Sequence, residues 1–383
     1  MAGPRTLSAY VHVPYCRVRC GYCDFNTYTS SELRGAKQSD FVDHVAAEID
    51  FSRRYLDALD DRRQLSTVFF GGGTPTLLPV ENIVDTVSRL NQTFGIVDGA
   101  EVTVEANPDS VDANYLKALA DGGITRVSFG VQSAVPHVLS VLDRTHNPER
   151  VPDVVRQAKM AGLAVSIDLI YGTPGESLAD WKRSLDLVAA VEVDHVSAYS
   201  LIVEEGTALE RKIRRGEVES PDANLQAEMY EVADAAFEEM GLSWYELSNW
   251  SRDESTQSRH NLAYWLNQDW WGFGAGAHSY VAGRRWWNVK HPAAYATRVM
   301  SGLSPEQDGE VPSEVETQLE RVLLGTRLRS GFPISNLEPQ VLSELEGLIA
   351  DGLIHDPSLF GERVVLTLTG RLLADAVVRR LTT

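Results

Sequence analysis

Between residues 8 and 201 short apolar runs alternate with longer segments of helical spacing, and no other feature constrains the fold as much. The runs 8–15, 67–70, 101–106, 126–132, 165–171 and 195–201 are rich in Val, Ile, Phe or Tyr, and four of them are followed directly by Gly, Asn or Ser. Between them, 40–55, 80–94, 113–119, 148–161 and 178–191 place apolar residues three and four apart. Six strands in βα alternation predict a parallel sheet covered by helices. The expected fold is therefore α/β, a partial (β/α)6 barrel of the TIM type, left open because six strands fall short of eight.

The unusual residues fall at or just beyond the C-terminal ends of these strands, which is the ligand-binding edge of such a barrel. Cys16, Cys20 and Cys23 follow the first strand, and Gly71-Gly72-Gly73-Thr74-Pro75 follows the second. Glu105 ends the third and Gln132 the fourth, while Asp168 lies along the fifth. After residue 201 the alternation fades. A helix is expected over 224–240 and a single strand over 243–250. The stretch 264–288 is dense in aromatics and glycine, with five of the eight tryptophans, and Trp250 stands just upstream. An acidic, proline-containing stretch, 301–313, reads as a linker. In 314–383 two helical patterns, a strand at 364–368 and a helix opened by Thr369 give the order of a small winged-helix domain. The expected organisation is thus a barrel over 1–205, an extension over 206–300 and a winged-helix-like unit over 314–383.

The three cysteines are the only ones in the chain and lie within eight residues. A secreted disulfide framework would scatter an even number, so a reducing, cytoplasmic compartment is expected. The N-terminus lacks an apolar signal core, and no run approaches the length of a membrane span. A formal net charge of −19 disfavours nucleic acid and anionic membrane surfaces as partners, though not docking on one membrane protein. Cys16-Arg-Val-Arg-Cys20-Gly-Tyr-Cys23 can wrap one corner of a cubane [4Fe–4S] cluster, and with no fourth cysteine one iron stays open to an outside ligand. Two plainer readings stand beside this: a Cys3His zinc site using His12, and three structural cysteines.

The Cys-x3-Cys-x-aromatic-Cys run after a first strand resembles the radical S-adenosylmethionine (SAM) signature. With Tyr10-Val-His-Val-Pro-Tyr it resembles one subgroup, the oxygen-independent coproporphyrinogen III oxidases and the HemW-type heme chaperones, over nearly the whole chain. The resemblance implies that SAM chelates the open iron and is cleaved to a 5′-deoxyadenosyl radical. It assigns Gly72, Gly73 and Thr74 to the methionine amino group, although a triple glycine alone signals only a tight turn. A P-loop is excluded, since no Gly-Lys-Ser/Thr follows. Glu105 would accept the ribose hydroxyls. Gln132, Arg144 and Asp168 match positions that contact SAM or a second SAM, a surface ion pair being the plain alternative for Arg144. Tyr10 and His12 would line the same pocket and Tyr22 would pack near the adenine.

Within the subgroup three features favour the heme chaperone. The oxidase carries a further cysteine two residues after the third, where this chain has Asp24-Phe25. Only fifteen residues precede Cys16, fewer than in the oxidase. His260-Asn261-Leu-Ala-Tyr264-Trp265 matches the His-Asn-x-x-Tyr-Trp motif of the chaperones. The resemblance makes these four residues a heme-binding set, with His260 as candidate axial ligand and His278 as a second one. A helix-capping or core role is the plain reading of His260. The expected partners are heme, a heme-accepting respiratory protein and an electron donor. The alternatives are the oxidase itself and another tetrapyrrole-acting radical SAM enzyme.

Overall fold

The computed structural model describes residues 5–33 and 35–382. In chain order the barrel half comprises β1 (Leu7–Val13), α1 (Phe41–Ala58), β2 (Leu65–Gly72), α2 (Val80–Phe94), β3 (Ile96–Ala106), α3 (Ala113–Asp121), β4 (Arg126–Gln132), α4 (Pro136–Val141), α5 (Val151–Met160), β5 (Ala164–Tyr171), α6 (Leu178–Val191) and β6 (His195–Ser200). The pattern in α2 shows why: Ile83, Val87, Leu90 and Phe94 form one buried stripe, and Gly95, at φ 75°, ends the helix. Strands β1 to β6 pair in parallel in sequence order. Their outward residues, such as Val11, Val68, Val104 and Phe129, form one core with Val45, Ile49, Leu90 and Val154 of the covering helices.

The rest of the chain adds α7 (Ala208–Arg214), α8 (Ala223–Glu239), β7 (Ser243–Glu246), β8 (Asn249–Ser251), α9 (Arg259–Trp265), β9 (Asp269–Phe273), β10 (His278–Val281), β11 (Arg284–Asn288), α10 (Pro292–Met300) and β12 (Glu306–Glu310). These strands extend both edges of the same sheet, whose order is β12-β11-β10-β9-β1-β2-β3-β4-β5-β6-β8-β7. Three expectations are corrected. The parallel run has seven strands, because β9 pairs in parallel with β1. The strand expected over 243–250 is a hairpin of β7 and β8, broken at Leu247-Ser248. The expected linker contains β12, a mostly exposed edge strand held by Arg284–Glu306 and Arg285–Glu310 ion pairs. Its acidic residues face solvent, so it lacks the apolar alternation of a half-buried strand.

The C-terminal segment comprises α11 (Glu314–Gly325), β13 (Phe332–Pro333), α12 (Glu344–Ala350), β14 (Arg363–Val364), α13 (Leu368–Leu372) and α14 (Ala374–Arg380). It has its own apolar core around Val322, Phe332, Leu348, Val364 and Val377. The strand expected over 364–368 is shorter. Thr367 caps α13 through the Gly370 N–H, so the chain has already turned helical at Leu368. The last helix breaks at Leu373 into α13 and α14. Among the described residues no helix is long and apolar enough to cross a membrane.

Candidate cluster and ligand site

The inward face of the sheet is polar. Along β4 the outward residues are Val127, Phe129 and Val131, and the inward ones are Arg126, Ser128, Gly130 and Gln132. The same alternation puts Ser166, Asp168 and Ile170 of β5 and His195, Ser197 and Tyr199 of β6 inside. Residues from β1 through β8 line one cavity of about 670 Å³, so the sheet curls around it. The 254–265 segment packs into its floor. Glu101 of β3 accepts from the backbone N–H groups of Arg259 and His260, and Arg126 donates to the carbonyl of Thr256 at 2.6 Å.

The cysteine loop is pinned at three places. Cys16 N–H donates to Tyr28 (3.0 Å), Gly21 N–H to Leu142 (3.2 Å), and Leu209 N–H to Gly21 (2.8 Å). All three cysteines are free, half-buried and line the cavity. Burial and the neighbouring thiols of Cys23 and Cys20 push the Cys16 thiol up to about 11, and burial raises Cys23 as well. A coordinated iron reverses this, because a metal-bound thiol is deprotonated. Arg144 reaches Cys20 Sγ at 3.8 Å and supplies local positive charge. Among the described residues no group of three or more His, Cys, Asp or Glu side chains converges to hold a single metal ion. Three thiols with no fourth cysteine are the donor set of a cluster that leaves one iron open. His12 cannot complete a zinc site as it stands: its nitrogens bond Tyr10 Oη and the Asn26 carbonyl, each at 2.9 Å.

Beside the cysteines, Gly73 N–H donates to Val13 and Thr74 N–H to Tyr15, both at 2.8 Å. A Cβ on Gly73 would lie 2.5 Å from the Tyr15 carbonyl oxygen, and one on Gly72 (φ 107°) 2.5 Å from the His12 ring. Glu105 accepts from the Gly72 N–H at 3.2 Å. Ser128 Oγ donates to Asp168 at 2.9 Å. Burial pushes the Glu105 carboxyl up to about 8, helped by the charge of Asp168, and burial pushes Asp168 up to about 6. Two buried carboxyls that share one cavity suit a cationic ligand. Gln132 ends β4 in the left-handed region, φ 64°, beside a register shift between Gly130 and Gln132. Arg144 donates to the Gly130 carbonyl.

Of the residues expected from sequence, Cys16, Cys20, Cys23, Tyr10, Tyr22, Gly72, Gly73, Thr74, Glu105, Gln132, Arg144, Asp168, His260, Asn261 and Tyr264 all line this cavity. His12 does not; it backs Gly72 from behind. Trp265, half-buried, also lies outside the lining. His260 sits on the floor, with Nδ1 on Thr67 Oγ1 (2.7 Å) and Nε2 on Tyr264 Oη (2.9 Å), its ring stacked on Phe69. Burial lowers its pKa to about 3. Asn261 donates to Glu246 at 3.1 Å. Tyr22 packs beside Leu142, Ile170 and Leu209. Ser128, Ser197, Tyr199 and Arg126 were missed as lining residues, although the period of two in β4 and β6 marks them.

This fold and this cavity define a radical SAM protein, and the Radical SAM superfamily model matches residues 10–188. The heme chaperone HemW of Mycobacterium tuberculosis is 45% identical over 373 residues, 97% of this chain and 94% of the relative. That of Bacillus subtilis is 33% identical over 380 residues, 97% of each. The chain belongs to the HemW heme chaperone family within the radical SAM superfamily. Its fold is also that of the solved coproporphyrinogen III oxidase HemN from Escherichia coli, with TM-score 0.81 and 23% identity over 99% of this chain and 90% of that one.

Proposed function

We propose that this chain is a heme chaperone. It carries a [4Fe–4S] cluster on Cys16, Cys20 and Cys23, binds SAM beside it, and passes heme to a respiratory acceptor protein in the cytoplasm or at a membrane-bound partner. A cluster bound there supplies one electron to a chelated sulfonium. The chain's own residues hold the ligand: Gly72 to Thr74 offer close backbone, Glu105 offers acceptor oxygens for the ribose hydroxyls, Asp168 offers negative charge, and Arg144 offers a forked donor for a carboxylate. The observation that carries the reading is 45% identity to a heme chaperone over 97% of a chain whose three free thiols open into one cavity with Glu105, Gln132 and Asp168. The likeness to the oxidase speaks for the fold. Phe25, exposed and lining the cavity, falls two residues after Cys23, where the sequence pattern of the oxidases calls for a further cysteine.

The test is anaerobic. Protein reconstituted with iron and sulfide is given SAM, a strong reductant and coproporphyrinogen III, and protoporphyrinogen is sought by chromatography. A parallel sample is titrated with heme. Stoichiometric heme binding without product supports the chaperone. Multiple-turnover product would make the protein an oxidase.

A further inference from the structure

The three histidines inside the curled sheet are fully engaged by protein. His12 and His260 are bonded as described, and His195 bonds Ser166 Oγ and Tyr245 Oη at 2.6 and 2.8 Å. His278 differs. It is exposed at the start of β10, and among the described residues neither ring nitrogen has a hydrogen-bond or ion-pair partner. Its ring stacks on Trp287 of β11, with centroids 5.7 Å apart and planes at 27°. The registers His278↔Trp287, Tyr280↔Trp270 and Tyr10↔Gly272 put His278, Trp287 and Trp270 on the face that carries Tyr10, just beyond the cavity wall. Partial burial lowers the His278 pKa and the nearby charge of Lys290 adds to it; Lys290 is exposed and has no ion-pair partner among the described residues.

The His-Asn-x-x-Tyr-Trp helix leads to this same patch. His260 holds Tyr264 Oη, Tyr264 packs edge-on against Trp270 (4.8 Å, 86°), and Trp270 Nε1 donates to the His278 carbonyl at 3.0 Å. We infer that His278 is the imidazole that ligates heme iron, with Trp287 stacked behind the imidazole, the macrocycle edge toward Trp270 and Lys290 placed for a propionate. His260 is then a positioning residue, acting through Tyr264 and Trp270. An available imidazole nitrogen, flat indole surface and an unpaired ammonium are what an iron porphyrin dicarboxylate requires. The inference rests on the heme-chaperone reading.

The experiment uses full-length, cluster-reconstituted protein titrated with ferric heme, read by Soret position, low-temperature electron paramagnetic resonance and affinity. His278 is exposed, so its replacement spares the fold. His278→Gly should move the Soret band, remove the imidazole-ligated signal and weaken binding by about tenfold or more, and added imidazole should restore the spectrum. His260→Asn should keep the imidazole-ligated signal with weaker binding. His355→Ala, at the other exposed histidine that stacks on an aromatic ring, should change nothing. If wild-type protein binds no heme, the chaperone reading falls. If it binds heme and His278→Gly leaves both spectrum and affinity unchanged, the ligand assignment falls and the chaperone reading stands.

Discussion

At the scale of single residues, the two cavity carboxyls carry a pH signature. Burial raises Glu105 to about 8 and Asp168 to about 6. In the folded chain Glu105 therefore keeps its proton over a range in which the unfolded chain, titrating near about 4.3, has lost it. The folded state binds more protons there, so stability falls as pH rises from the unfolded value toward about 8. Glu105→Gln should flatten the decline. In SAM-free protein the variant should match the parent near pH 4 and exceed it near pH 8, by an amount on the order of a few kcal/mol. Thermal melts across that range are the check, and parallel curves for the two proteins would mean Glu105 ionises without penalty. The same substitution should weaken SAM binding, since an amide leaves one acceptor oxygen where the carboxylate offers two to the ribose hydroxyls. The carboxylate was legible in sequence as a polar residue ending a strand. Its perturbation was not, because that arises from burial in the curled sheet, with the charge of Asp168 across the cavity adding to it.

At the scale of elements, most of the barrel was legible, since inward and outward residues alternate strictly in β4 and β5 and helices such as α2 carry clean apolar stripes. What escaped was long-range pairing. Strand β9 lies far beyond β6 in sequence yet joins β1 at the opposite edge, and nothing local in Asp269–Phe273 announces that neighbour. The same holds for Glu48, which lies fully buried in α1. It accepts from Gly274 N–H (2.8 Å), Asn288 Nδ2 (2.8 Å) and Tyr295 Oη (2.5 Å), tying α1 to β9, β11 and α10. All three partners come from a distant part of the chain. The β9–β10 junction is tight: a Cβ on Gly272 would lie 2.1 Å from the His278 carbonyl oxygen, which is backbone and cannot swing away. Gly272→Ala should therefore pry β10 from β9 and cost about 2 kcal/mol or more. A urea midpoint equal to that of the parent would show that the two strands are not packed this closely. The cluster absorbance should survive, because the cysteine loop is held by Tyr28, Leu142 and Leu209.

At the scale of the whole molecule, the C-terminal segment has a separate core and is joined to the sheet through few polar contacts. Besides the Arg285–Glu320 ion pair and the Arg329 N–H bond to the Tyr245 carbonyl, the most buried of them is made by Arg371 of α13. It donates to both carboxylate oxygens of Asp234 on α8, at 2.7 and 2.5 Å, reaches Tyr230 Oη at 3.2 Å, and stacks over Trp244 with its guanidinium carbon 4.6 Å from the ring centroid. Both side chains are largely buried, at 5% and 18% exposure, so loss of one partner strands the other's charge in a poor solvent. Trp250 Nε1 also donates to Asp234 at 2.8 Å, so cutting the pair at the arginine leaves that bond in place. Arg371→Met keeps much of the apolar stem and should destabilise the docking by about 3 kcal/mol. Adding Asp234→Asn should recover part of the loss, because the stranded charge disappears while an oxygen remains for Trp250. Limited proteolysis should then cut the single variant first between 301 and 313 and release the C-terminal segment, with the cluster absorbance of the remaining barrel intact. Loss of cluster and segment in one transition would show instead that the two cores fold as a single cooperative unit and that the Arg371–Asp234 pair supports the site itself.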